Sequence, residues 1–450
     1  MSGREANDPG DRQHAFPGAI LMGAQSRLIP YGIPLRFFIT ASMFHVVAWL
    51  LLALGHGDVA AYAGGPGVVL AALHALTLGV LVMTVMGASY QLLSVATGIA
   101  PKSLLPCRLS SWLYIPGTVV LVTGMFIGNT LVMLLGGVLV VAGLAVFAAV
   151  VGDIFRRSIS LRATIRHGWA ALVCLGLLAI AGLILIVDFD IGFLGAAALP
   201  DRQNMAISHA ILGGFGFIGL LVMGFSYVLV PMFALASAPD DKVTGLSLGL
   251  VVAGLSFAVA GSLSGSVAAL IAAAAIGLTG AVLHVVLMVR VLRTGMKKRL
   301  GLSFVMVRAG WLLLPLSIGV GGLAAVMPGD FNLPALFGFV LIFGWLLTFL
   351  TGILQRILPF LASMHAHKQG RRAPRLSEMG HQGVTLKAHA ACHGAALVLV
   401  ALGIATDTET LILLGGLTGS LGAAAFLWFA FGVGGKVVSF YGEKNFSKQT

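Results

Sequence analysis

From Ile207 to Ala236 the chain runs for thirty residues without a Lys, Arg, Asp or Glu. Similar runs cover Phe37 to Leu54, Val68 to Leu93, Thr118 to Val151 and Ala170 to Val187. A helix needs about 20 apolar residues to cross a bilayer core. Inside lipid only helices and closed barrels satisfy every backbone polar group. The runs are continuous rather than alternating, so helices are predicted. Only 9% of the 450 residues are charged and mean hydropathy is +1.02, against about 25% charged in a soluble domain. Charges this sparse cannot coat a water-soluble globule.

The expected fold class is an all-α polytopic membrane protein. Twelve spans are predicted, over residues 34–54, 68–97, 111–128, 130–152, 168–188, 205–235, 243–262, 266–291, 303–326, 333–361, 386–405 and 410–434. Together they form one membrane domain, 34–435, between a polar, disordered tail at 1–33 and a second tail at 436–450. No signal peptide is expected. The net charge of +12 does not indicate nucleic acid. With the N-terminus placed in the cytoplasm, all of the 27 Lys and Arg except Arg202 fall on or near the cytoplasmic side. This follows the positive-inside rule. The outer loops are acidic or neutral, from Asp58 through Asp188–Asp201 and Asp330 to Glu409. A multi-pass protein of the cytoplasmic membrane, with both termini cytoplasmic and a lipid bilayer as its surroundings, is the expectation. Three isolated cysteines give neither a disulfide framework nor a CxxCH haem attachment.

The chain also repeats itself. MGASYQLLSV at 86–95 returns as MGFSYVLVPM at 223–232, an offset of 137. Spans 2, 6 and 10 carry Gly87…Tyr90, Gly224…Tyr227 and Gly352…Gln355. Gly143 in span 4 and Gly280 in span 8 share the 137 offset. Spans 5 and 9 open with Arg166-His-Gly-Trp169 and Arg308-Ala-Gly-Trp311. A period of four helices repeated three times is predicted, with units of about 34–157, 158–300 and 301–435. The architecture is therefore three pseudo-symmetric four-helix arcs.

Acidic residues are nearly absent from the predicted span interiors, which turns attention to histidine. His74 opens span 2 and His209 opens span 6, at matching places in two repeats. Neutral imidazole binds haem iron, copper or zinc. The bland role of an intramembrane His is an interhelical hydrogen bond, but the matched pair favours a cofactor. Arg202 suits a haem propionate or, equally, a neighbouring Asp188 or Asp201. His45 in span 1 is a third candidate metal ligand. His389 and His393, at i and i+4 on span 11, share a face in a spacing that suits one metal. Their bland role is as incidental histidines at a basic, lipid-facing end. His284 stands alone in span 8. Tyr90, Tyr227 and Gln355 are expected to cross-link helices.

The stretches HALTLGVLVMTVMGASYQLLSV and HAILGGFGFIGLLVMGFSYVLVP, within this twelve-helix plan, resemble spans 2 and 6 of subunit I of the haem-copper oxidase superfamily. The membrane haem and copper proteins of the nitric-oxide response (NnrS-like) share the general plan. The oxidase resemblance implies a low-spin haem on His74 and copper on His209. Span 7 has no histidine pair, and span 10 opens Phe331-Asn-Leu-Pro334 without histidine. The complete oxygen-reducing site of that family is therefore not expected. The predicted function is haem or metal binding for electron transfer or nitric-oxide binding, with copper as a further cofactor. A respiratory-chain electron donor or another membrane subunit is the expected partner. A small-molecule or metal carrier and a non-catalytic assembly protein for a respiratory complex are the other readings.

Overall fold

In the computed structural model, residues 27–196, 199–367 and 383–446 are described. Among them are twelve helices long and apolar enough to span a membrane. They are α1 (Gly32–Leu54), α2 (Val68–Thr97), α3 (Leu105–Ile127), α4 (Thr130–Arg157), α5 (Arg162–Ile191), α6 (Arg202–Ala234), α7 (Asp241–Ser264), α8 (Val267–Thr294), α9 (Leu302–Val326), α10 (Leu333–His365), α11 (Gly383–Ala405) and α12 (Glu409–Phe446). No strand is present among the described residues, so the chain is an all-α polytopic membrane protein. Most of the tail expected at 1–33 and much of the 362–385 loop, including His381, lie outside the described residues. The expected C-terminal tail from 436 instead begins as a continuation of α12, to Phe446.

Several helices outrun their apolar cores. α3 starts at Leu105, α4 ends at Arg157, and α5 begins at Arg162. Their charged ends reach the headgroup layer, where long basic side chains keep their heads in water. A helix can therefore continue past the last apolar residue that hydropathy detects.

The threefold plan is visible in the packing. Nine helices form a ring in the order α1, α3, α4, α5, α7, α8, α9, α11, α12 and back to α1. The helices carrying the repeat motif, α2, α6 and α10, fill its interior. Their central windows are 67%, 78% and 67% buried, while no other helix exceeds 50%. Loop and cap geometry repeats with the same period. Gly128, Gly265 and Asp407 all take positive φ, of 68°, 66° and 52°. The next residue in each case closes the turn backwards: Asn129 N–H to Gly124, Ser266 N–H to Gly261 and Thr408 N–H to Gly403, at 3.0, 2.9 and 2.8 Å. Asn129 and Ser266 then cap α4 and α8 through their side chains.

Small residues set the close crossings. Gly87 faces Pro34 and Phe37 of α1, Gly224 faces Thr164 and His167 of α5, and Gly352 faces Ser303 and Met306 of α9. A side chain at any of the three would press into the neighbouring helix, as small-residue packing in membranes requires. The same contacts correct one part of the repeat. Met306, not Ala309, occupies the place of His167, so the Arg166 and Arg308 echoes stand about one helical turn out of register.

Candidate functional site

Each inner helix widens into a π-helical segment: Thr77–Val82 in α2, Leu212–Gly219 in α6 and Val340–Leu347 in α10. Such segments are rare and concentrate at functional sites. His74 lies three residues before the first and His209 three before the second. Phe337 occupies the same place before the third, and its ring stacks on Phe215 at 6.2 Å. The repeat thus offers three equivalent places, two of them imidazole and one phenyl.

His74 and His209 meet. Their ring centres are 6.3 Å apart and their planes differ by 26°. His74 Nδ1 faces the Leu70 carbonyl at 3.1 Å. With Nδ1–H donating there, the Nε2 lone pair is left for a ligand, which is the arrangement metal-ligating histidines use. His209 Nδ1 is buried with no hydrogen-bond partner. Glycines make the room. A methyl group on Gly182 of α5 would approach His209 Cε1 to 3.0 Å, and Gly79 admits the Phe44 ring.

Beside the pair is a cavity of about 590 Å³ lined by α6 to α10 and the α1–α2 loop. Typical ligand pockets measure about 300–1,000 Å³. Leu73, next to His74, and Ala210, next to His209, line it. The lining is apolar apart from a few groups such as Gln203 and Asn332.

The remaining candidates fall differently. Arg202 takes the second of its two expected roles, pairing with Asp188 at 2.6 Å and lying over Phe189. Asp188 is only 2% exposed, so the acidic residue at the end of predicted span 5 is buried rather than open to the outer surface. It also accepts the Leu194 N–H. His389 and His393 do not face lipid. They are 0% and 3% exposed and pack with their ring centres 5.7 Å apart. His45, 1% exposed, stands edge-on to His389 at 5.7 Å. The five histidines proposed as ligands therefore assemble into one pair and one trio.

His284 is not alone. Its Nδ1 is 2.9 Å from the Tyr227 hydroxyl, and His167 packs on the other side of the Tyr227 ring at 5.2 Å. The sister unit holds Phe37, Tyr90 and Phe147 at these places, with Tyr90 bonded to Ser110 at 2.7 Å. The constant 137 offset, carried past Gly143 and Gly280, pairs Phe147 with His284 and could have exposed this substitution. Tyr90, Tyr227 and Gln355 cross-link helices as expected, Gln355 through Met306.

Among the described residues, no three His, Cys, Asp or Glu side chains are grouped to hold a metal ion. The donor set at His74 and His209 is thus two neutral imidazoles from different helices. That set is insufficient for a tetrahedral zinc ion, which takes four ligands. It fits an iron whose other ligands arrive with it in a macrocycle. No known family model matches the chain, and no curated protein is significantly similar to it.

Proposed function

We propose that the protein is an integral membrane haem-binding protein, and that His74 and His209 are the residues that would hold the haem iron. The observation carrying this reading is the 6.3 Å, near-parallel approach of two imidazoles from separate repeats. The adjoining apolar cavity supports it, as does the resemblance of α2 and α6 to oxidase subunit I.

Haem so held supplies one-electron redox chemistry. The chain's own part is to orient and to exclude water. Leu70 fixes the His74 tautomer, the apolar cavity wall keeps the site dry, and ligation by both rings favours electron transfer over an open gas-binding position. An electron donor of the respiratory chain, reaching the site from the acidic face, is the partner this predicts. The protein resides in the cytoplasmic membrane with its basic, terminus-bearing face inward.

The test is an absorption spectrum of the detergent-purified protein produced with haem supplied. A low-spin Soret band that His74→Ala or His209→Ala converts or removes is expected. Colourless, iron-free protein contradicts the proposal. The cavity favours a second reading, a small-molecule carrier. It predicts haem-free protein whose uptake of solute into vesicles is altered by bulky substitution at the cavity-lining Ala210.

A further inference from the structure

His389 and His393 sit on one face of α11, one turn apart, against α1 and α12. Each ring has one nitrogen held and the other free. His389 Nδ1 faces the Gly422 carbonyl at 3.0 Å, and its Nε2 is buried without a partner. His393 Nε2 is 2.7 Å from Thr348 Oγ1, and its Nδ1 is buried without a partner. Buried polar atoms are nearly always satisfied by protein, water or an ion. Two free imidazole nitrogens on rings centred 5.7 Å apart, both essentially inaccessible to solvent, call for a shared ligand. The held nitrogens supply the second shell that orients metal-binding histidines.

We propose that His389 and His393 bind one low-coordinate, monovalent transition-metal ion of the Cu(I) class, through Nε2 and Nδ1 respectively. Both rings come from one helix, one turn apart, a spacing that suits a single small ion. The remaining neighbours are apolar or neutral: Trp49 packs against His393 and Phe426 against His389. No carboxylate belongs to the cluster to offset a second positive charge, and burying an uncompensated charge is costly. A singly charged ion content with two neutral imidazoles meets both limits, whereas zinc needs four donors. His45 completes the wall of the site. Its Nε2 accepts the Trp49 indole N–H at 3.3 Å, which leaves the proton on Nδ1, itself buried without a hydrogen-bond partner, so in this tautomer it is a neighbour and not a ligand.

The site is separate from the haem pair, and its test is made in the His74→Ala, His209→Ala background so that the two readings stand or fall independently. Purified protein is titrated anaerobically with Cu(I) against a chromogenic Cu(I) chelator. One ion retained per chain is expected, with an absorption-edge signature of imidazole nitrogen ligands. His389→Gln with His393→Gln weakens retention by at least about tenfold, the loss that even outer-shell changes produce. His56→Gln leaves it unchanged. His389→Cys, which keeps a soft donor, retains the ion if the double variant fails merely through misfolding. Equal retention in that background with and without the folded His389→Gln, His393→Gln changes, or no retention in that background with both histidines intact, overturns the proposal.

Discussion

Asp188 and Arg202 form an asymmetric pair: the carboxylate is 2% exposed, while the guanidinium side chain is 36% exposed. Removing one partner of a buried pair is costly because the other is left uncompensated. Arg202→Ala strands a buried carboxylate and is expected to destabilise by about 3 kcal/mol. Asp188→Asn leaves a guanidinium that water can reach and an amide oxygen still able to accept from Leu194, and should cost about 1 kcal/mol. Thermal unfolding in detergent checks the order, and equal losses contradict it. This pair was half legible in the sequence: both residues were visible near span ends, but which of two carboxylates Arg202 would choose depends on a turn that hydropathy does not describe. The histidines divide similarly. His74 and His209 could be matched by their place in the repeat. The trio of His45, His389 and His393 could not, because α1 and α11 are brought together by ring closure between distant parts of the chain.

Among the helices, close crossings are set by glycines at equivalent positions, and substitution there separates packed backbones. A methyl group on Gly136 would overlap the Leu121 backbone of α3, far inside van der Waals contact, so something must shift. Gly136→Ala is expected to destabilise by about 1–3 kcal/mol, the usual cost of overpacking. Nothing lies within 4 Å of the corresponding point on Gly176. Gly176→Ala should be neutral or stabilising by up to about 1 kcal/mol through helix propensity. Comparable unfolding temperatures for the two variants count against the packing account. His284→Phe is a different test. Phe147 fills the sister position beside Tyr90, but the exchange takes a partner from the buried Tyr227 hydroxyl, so the substitution should cost about 1–3 kcal/mol. A collapse of folding would show that the imidazole is structural. All twelve spans were legible because apolar run length reports them directly. The one-turn slip between Arg166 and Arg308 was not, because a motif of Arg, Gly and Trp reads the same at either register. The π-helical segments left no sign in composition beyond local glycine.

For the whole molecule, the ring of nine helices around three inner ones predicts a single topology. Cysteines introduced at Ser103 and Met296 should react with impermeant thiol reagents from the side of the termini, and one at Ala61 from the opposite side. Labelling of Ser103→Cys and Ala61→Cys from the same side contradicts the threading. The period of four helices was readable from two ten-residue stretches because inner helices need glycine for close approach and a planar polar residue to tie their neighbours. The chemistry of the three units was less readable, since imidazole, phenyl and thioether fill similar volumes at equivalent places. The central claim is that imidazoles from two repeats share one cofactor. Haem content per chain, measured as the pyridine complex on purified wild type and on the His74→Ala, His209→Ala double variant, tests it most directly. About one haem per wild-type chain is expected, and almost none in an equally folded double variant; a wild type without haem, or a double variant that keeps it, overturns haem binding by this pair.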